Sequence, residues 1–459
     1  MQILKSRSFS NVLCWFFYAV VILVVAFSIH HGEKIPTNWG VELFATPSEI
    51  SRHFGMGDQG SYVNAALVLP KEGLQIFAGG YSMFPPGLSI VEMILMSLSP
   101  NVPLAFVILL CSLALWAIFM VCLCRATEDC FHMNHYIALI VPLCLLPIPF
   151  FWETYLWDAA LMTESLSTPL FAIACLESWR IIVQPKYASI KKAVIIGLLF
   201  AIASYIRAQF ELVFFMFVGA SFFLLLITYF RLPKSDSQKK SLWHRYSMAL
   251  LAAFVAYNVA VVPYKVIYKK ASTIVVIEYI WEMVWKPESF YVNTPGQFFS
   301  GGGGHSICAI APEKCAQFTT RKDKGEVIPF PEYKRAAMKT VFLHPFSLLY
   351  FKAPYFWKMW ATDTTTLFRT YFNFILLSIP LLMIVLLGAA GDKHRWQRIG
   401  IYVLYFTAMV GGSAGFSLIA QVEPRYLMPI KLFLCISLLL GIAWAITAWR
   451  ASKKRISSL

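Results

Sequence analysis

Charge is what this sequence has least of. Of its 459 residues only 14% are charged, against about a quarter in an ordinary soluble domain, and 58% are hydrophobic. Mean hydropathy is +0.64. These values exclude a soluble globular chain and imply a polytopic membrane protein. Acidic residues are the scarcer sign, 24 Asp and Glu against 39 Lys and Arg, for a net charge of +15. In a soluble protein that excess would suggest a nucleic-acid partner. Here no nucleic-acid motif accompanies it, and the basic residues fall between apolar runs, where they set membrane orientation. No small-residue cleavage site follows the first apolar run, Asn11 to Ile29, which is also longer than the apolar core of a signal peptide. An uncleaved first helix is expected. Matching halves with mid-helix Gly or Pro breaks, the usual mark of a secondary transporter, are missing as well.

What is present is a succession of apolar runs separated by short basic loops. After Asn11–Ile29 they are Pro103–Leu123, Tyr136–Phe151, a run from Thr163-Glu164 to Arg180, Val194–Tyr205, Phe210–Phe230, Met248–Tyr264, Phe372–Leu387, Ile401–Ile419 and Leu427–Trp449. The basic groups around Arg125, Lys191-Lys192, Arg231 to Arg245, Lys393 to Arg398 and Arg450 to Arg455 all fall on one side when the runs alternate. The expected fold is therefore all-α and polytopic, with about ten spans, both termini inside, and large outer loops carrying interfacial helices. Residues 1–264 form an N-terminal membrane module with a first outer loop at 31–102. Residues 265–366 form a second outer loop, and 367–459 the C-terminal membrane helices.

The first outer loop holds the most polar passage, Gly55 to Gly87, with Asp58, Tyr62, Asn64, Tyr81 and the Pro85-Pro86-Gly87 turn. Leu88–Leu98 is apolar but short of the roughly 20 residues of a span. It is expected as an interfacial or re-entrant helix, since Pro is accepted in a first helical turn. The second loop carries two aromatic stretches, Ala271–Trp285 and Phe346–Trp360, the latter interleaved with Lys352 and Lys358, a pattern suited to the headgroup layer. Alternation of the spans brings Asp58, Asp158, Glu164, Arg207 and Arg425 to the same outer side. Any one of them reads as readily as a snorkelling charge.

Of the ten cysteines, Cys308 and Cys315 are the pair in the outer loop. An oxidising compartment would close them into a disulfide. Zinc, the rival, would draw on His305 as well, a weak set for a four-coordinate site.

Taken as an ordered set, the motifs resemble the GT-C superfamily of membrane glycosyltransferases, with protein O-mannosyltransferases and lipid A aminoarabinose transferases as relatives of that kind. They are Asp58 with its Tyr and Asn, Tyr81-Ser82-Met83-Phe84-Pro85-Pro86-Gly87, Leu161-Met162-Thr163-Glu164-Ser165-Leu166, Tyr205-Ile206-Arg207, His344-Pro345 leading to Trp357, and Glu423-Pro424-Arg425-Tyr426-Leu427-Met428-Pro429. The resemblance implies transfer of a sugar from a polyprenyl-phosphate donor to a glycan, lipid or protein acceptor, with inversion. The reaction would run on the outer face of a bacterial inner membrane. Asp58 matches the acidic residue expected to take the acceptor proton. Glu164, with Asp158 close by, matches a second acidic position that orients the acceptor or holds a divalent cation. Arg207 and Arg425 would fork the donor phosphate, joined by Lys265 and Lys269 at the rim. Tyr62, Tyr81 and Tyr426 would line the substrate. The residues call for no cofactor beyond that cation. A polymerase or ligase using a polyprenyl-diphosphate substrate is the nearest alternative.

The topology is directly testable. In a cysteine-free background, a single cysteine at Ser289 should react with an impermeant thiol reagent added from outside and one at Ser235 should not, because the short basic loops place them on opposite sides. Outside labelling of Ser235 would invert the arrangement.

Overall fold

The computed structural model describes residues 7–32, 44–54, 58–78, 85–131, 133–148, 163–183, 188–230, 237–269, 274–275, 310–361, 367–389, 395–419 and 424–457. Helices account for every element among them, and no strand occurs. In chain order they are α1 (Arg7–Gly32), α2 (Pro47–Phe54), α3 (Asp58–Glu72), α4 (Pro86–Leu98), α5 (Leu104–Phe131), α6 (His135–Leu143), α7 (Glu164–Val183), α8 (Ile190–Ile206), α9 (Gln209–Phe230), α10 (Ser237–Ala260), α11 (Val262–Tyr268), α12 (Pro312–Asp323), α13 (Phe330–Leu343), α14 (Pro345–Ala361), α15 (Leu367–Ala389), α16 (Arg395–Ile419) and α17 (Met428–Ser457). Short 3-10 turns at Gly73–Ala78 and Pro424–Leu427 complete them.

Among the described residues, four stretches are long and apolar enough to cross a membrane: Leu104–Phe131, Gln209–Phe230, Ile399–Ser417 and Met428–Ala445. Shorter apolar helices occupy Ser10–Ala26, Pro86–Leu98 and Ile375–Gly388. The chain is thus an all-α membrane protein. Large apolar side chains stand exposed along these helices, among them Phe16, Val20, Phe222, Phe223, Leu381 and Val385. A water-facing surface would not carry so much contiguous apolar area, whereas lipid accepts it.

The helices close a ring. α1 packs on α5, α5 on α6 and α7, α7 on α8, and α8 on α10; α9 joins α8 and α10 to α16, which with α15 and α17 leads back to α5. The α8–α10 seam is made of small residues, Ala193 and Gly197 against Ala249 and Ala253. A β-carbon on Gly197 would lie 2.2 Å from the Ala253 carbonyl oxygen, so glycine is what lets these backbones meet. Aromatic rings fill the wider gaps, with Phe171 stacked on Phe210 at 4.4 Å and Phe214 on Tyr257 at 4.0 Å.

Several boundaries differ from those read off the apolar runs. α5 continues past Leu123 to Phe131 because its charged last turns are paired rather than solvated. Arg125 bonds Glu128 at 2.5 Å, Asn11 at 2.6 Å and Ser10 at 3.0 Å. Asp129 accepts from Arg180 at 2.7 Å, which ties α5 to α7. α6 stops at Leu143 instead of running on toward Phe151, since Pro142 lies in its last turn and Pro147 follows the turn after it. α10 begins at Ser237, within the basic stretch expected as loop. α14 matches the aromatic stretch Phe346–Trp360. Apart from 274–275, Ala271–Trp285 lies outside the described residues.

Between α1 and α5, Thr46 caps α2 through Glu49, which accepts from the Thr46 amide and hydroxyl at 2.7 Å each. Ser51 donates to Asn64 at 2.5 Å and Ser89 to the Tyr62 carbonyl at 3.0 Å, so α2, α3 and α4 form one packed unit. α4 has 13 residues and opens on Pro86, as the Pro85-Pro86-Gly87 turn led one to expect.

Candidate functional site

The site begins where α8 ends. Arg207 follows the last turn of α8 in extended conformation, its amide still bonded to the Ala203 carbonyl at 2.8 Å. With Ala208 it makes a two-residue link to α9. Such a short link cannot swing away, so the guanidinium is delivered to a fixed place at the end of α8. Two contacts fix it further. A β-carbon on Gly87 would come within 2.7 Å of Tyr205 and 2.8 Å of Ile206, so the start of α4 lies directly on the end of α8. The Tyr205 hydroxyl donates to the Ala260 carbonyl at 3.1 Å and accepts from the Tyr264 amide at 3.2 Å, which binds the same point to the α10–α11 bend.

Arg207 is buried, and its ion partner Glu164 is wholly so. Arg207 Nη1 bonds Glu164 Oε1 and also donates to Thr163 Oγ1 at 3.2 Å. Thr163 Oγ1 in turn donates to Glu164 Oε2 at 3.0 Å. Glu164 stands in the first turn of α7, where the exposed amides of the helix end favour a carboxylate. On its other side the guanidinium lies 4.9 Å from the centre of the Tyr426 ring. Nε and Nη2 of Arg207 have no hydrogen-bond partner among the described residues. A buried guanidinium with two spare donors is costly unless something accepts from them. Gln209, two residues on and buried, likewise has both amide atoms unpartnered.

Tyr426 belongs to the Pro424–Leu427 turn, and its ring meets Phe416 at 5.0 Å. Phe416 and Tyr426 share a small core with Phe318, Ile328, Tyr333 and Ala337, so the α12–α13 hairpin rests on the ring that supports Arg207. Two more cations are buried nearby in the fold. Lys352 of α14 donates to the Ser417 carbonyl at 3.1 Å, one residue from Phe416. Burial lowers its ammonium to about 7. Lys431, in the first turns of α17, lies 5.6 Å from the Trp360 ring centre of α14.

The other expected residues are placed as follows. Asp58 opens α3, and its side chain is outside the described residues, as is that of Arg425 in the Pro424–Leu427 turn. Asp158, Tyr81 and Cys308 lie outside them entirely. Tyr62 is buried in the main core rather than open to a ligand. Lys265 donates to Asn258 at 3.0 Å, and Lys269 is an exposed residue with positive φ at the end of α11. Cys315 is disulfide-bonded, whereas Cys14, Cys111, Cys122, Cys124, Cys130, Cys144, Cys175 and Cys435 are free. Of the residues expected to act together, the structure joins Glu164, Arg207 and Tyr426 in one cluster.

Sequence reasoning passed over Gln209, Lys431 and Glu92. Glu92 of α4 is fully buried with neither carboxylate oxygen bonded among the described residues. Glu92 and Lys431 each had a signal, a single polar residue inside an apolar run, whereas Gln209 lies between the charged residues Arg207 and Glu211. Among the described residues, the cluster nearest to a metal-ligand arrangement is Cys124, Glu128 and His135, at the opposite end of the bundle from Arg207. There Arg125 and His135 already engage the two Glu128 oxygens.

No family model and no curated protein matches the chain.

Deleting one partner of a buried ion pair strands the other charge. Glu164→Ala should therefore lower stability by about 3 to 5 kcal/mol, and Glu164→Gln, which still accepts from Arg207 and Thr163, by less. Thermal unfolding in detergent checks this. Equal midpoints for wild type and Glu164→Ala would show that the pair does not hold the site.

Proposed function

We propose that this protein is a membrane glycosyltransferase that moves a sugar from a polyprenyl-phosphate donor to an acceptor hydroxyl. The observation that carries the reading is Arg207, a buried arginine held rigid by Glu164 and Tyr426, with Nε and Nη2 unpartnered among the described residues. That is the arrangement a phosphate leaving group needs: fixed donors that require no reorganisation as charge develops. Arg425 is next to Tyr426 in sequence and is proposed as the second fork. The buried ammonium groups of Lys352 and Lys431 add positive field on the same side.

The order of the motifs supports a span count near ten, with the site on the outer face of a bacterial inner membrane. In the reaction the acceptor oxygen attacks the anomeric carbon from the face opposite the phosphate. The carbon–oxygen bond to phosphate breaks, and its electron pair leaves on the phosphate with inversion at carbon. The acceptor proton passes to a carboxylate. Between the acidic candidates, Glu164 is a poor choice, because one oxygen is committed to Arg207 and the other to Thr163. A committed carboxylate orients and balances charge. Asp58, at the start of α3 in the unit that rests on Arg207's helix through Gly87, is assigned as the base.

The test is transfer by purified protein from radiolabelled polyprenyl-monophosphate and polyprenyl-diphosphate sugars. Transfer is expected from the monophosphate. Asp58→Asn should reduce turnover by roughly 10² to 10⁴ with donor binding and folded yield unchanged. Activity with the diphosphate alone would move the protein to the polymerase or ligase class. Retention of more than about a tenth of wild-type rate by Asp58→Asn would remove it as base, that contribution being too small for general-base catalysis.

A further inference from the structure

At the opposite end of the bundle, away from Arg207, a cavity of about 380 Å³ lies between α7, α8, α9, α10 and α16. Its floor is buried and apolar, made by Phe200, Phe214, Phe217 and Ala253. Toward the ends of α9 and α10 the lining becomes half-buried at Leu225, Thr228, Leu242 and Trp243, which marks the mouth.

The polar side chains of the lining are already satisfied by protein. Ser178 donates to Ala174, Thr228 to Leu224, Trp243 to Leu225 and Tyr246 to Ile182, each a backbone carbonyl at 2.7 to 2.9 Å. Ser221 is shared between the Phe217 carbonyl and the Tyr405 hydroxyl. Such a cavity has nothing to offer water or a sugar and suits hydrocarbon. Among the described residues, the exposed charges around the mouth are basic. Lys240 and Arg245 flank Leu242 and Trp243 on α10, and Lys191 precedes Ala193 of the lining on α8; all three cations are exposed. The acid nearest in sequence to the lining, Glu177, is taken by Arg180 at 2.5 Å. Trp243 and Tyr246 suit the interfacial level at which a lipid headgroup meets its chains.

We infer that this cavity holds one acyl chain of an anionic phospholipid, with the headgroup phosphate on Lys240, Arg245 and Lys191. The site is separate from the sugar-transfer reading and does not rest on it.

The full-length protein in detergent, given phosphatidylglycerol or phosphatidylcholine of identical chains, tests the inference by native mass spectrometry. One phosphatidylglycerol should be retained about tenfold more strongly than phosphatidylcholine, the preference expected of basic residues facing an anionic headgroup. Leu224→Trp and Leu242→Trp, made separately to fill the cavity, should each abolish retention in monodisperse protein. The double variant Lys240→Gln/Arg245→Gln should retain lipid but lose the preference. Equal retention of the two lipids by wild type, no retention of either, or retention that survives both tryptophan variants would overturn the assignment.

Discussion

A buried guanidinium is the constraint on which one end of this helix bundle depends. Taking an arginine out of water costs several kcal/mol unless its charge and donors are answered. Arg207 is answered on one edge by Glu164 and Thr163 and on one face by Tyr426. Each partner comes from a different part of the chain, so the ion pair fixes the start of α7, the α8–α9 link and the turn before α17 relative to one another. The packed unit of α2, α3 and α4 joins the same point through Gly87, where the missing β-carbon lets α4 lie on Tyr205 and Ile206.

The segment 310–361 is tied to the site by packing. Phe318 and Tyr333 of its α12–α13 hairpin pack with Phe416 and Tyr426, and the following helix, α14, buries Lys352 against Ser417. A rearrangement of that segment would therefore be felt at Tyr426 and, through its ring, at Arg207. Packed aromatic cores shift as units rather than deform gradually, so the hairpin, Tyr426 and Arg207 are mechanically coupled. Lys352 adds a pH dependence. Its ammonium is pushed down to about 7, so the positive charge it supplies is complete below that pH and fades above it.

The sequence shows the class of fold through what water and lipid demand of side chains. Low charge, long apolar runs and paired basic loops were enough to foresee an all-helical membrane protein, and Pro85-Pro86-Gly87 was enough to foresee where α4 begins. It also brought Glu164, Arg207 and Tyr426 forward as residues of one site, because charged groups at the ends of apolar helices need a reason. It did not show that Glu164 pairs with Arg207, since pairing depends on which helix ends meet. Nor did it show that Tyr62 belongs to the core, because a tyrosine beside polar residues reads the same whether it faces a ligand or a neighbouring helix. The extension of α5 to Phe131 was hidden for a related reason: Arg125 and Asp129 look like loop charges until Glu128 and Arg180 are seen beside them. Lys431 and Glu92 were hidden by their apolar neighbours, and Gln209 by the charged Arg207 and Glu211 on either side of it.

The central claim is that the spare donors of Arg207 hold a lipid phosphate. It is tested most directly by the affinity of polyprenyl phosphate, without a sugar, for wild type and for Arg207→Lys. Lysine keeps the positive charge opposite Glu164, so the fold should survive, but it lacks the planar fork that presents Nε and Nη2. The account predicts binding weaker by about 10- to 100-fold in the folded variant, the loss expected for hydrogen bonds to a charged group. Unchanged affinity in a folded Arg207→Lys protein would contradict it.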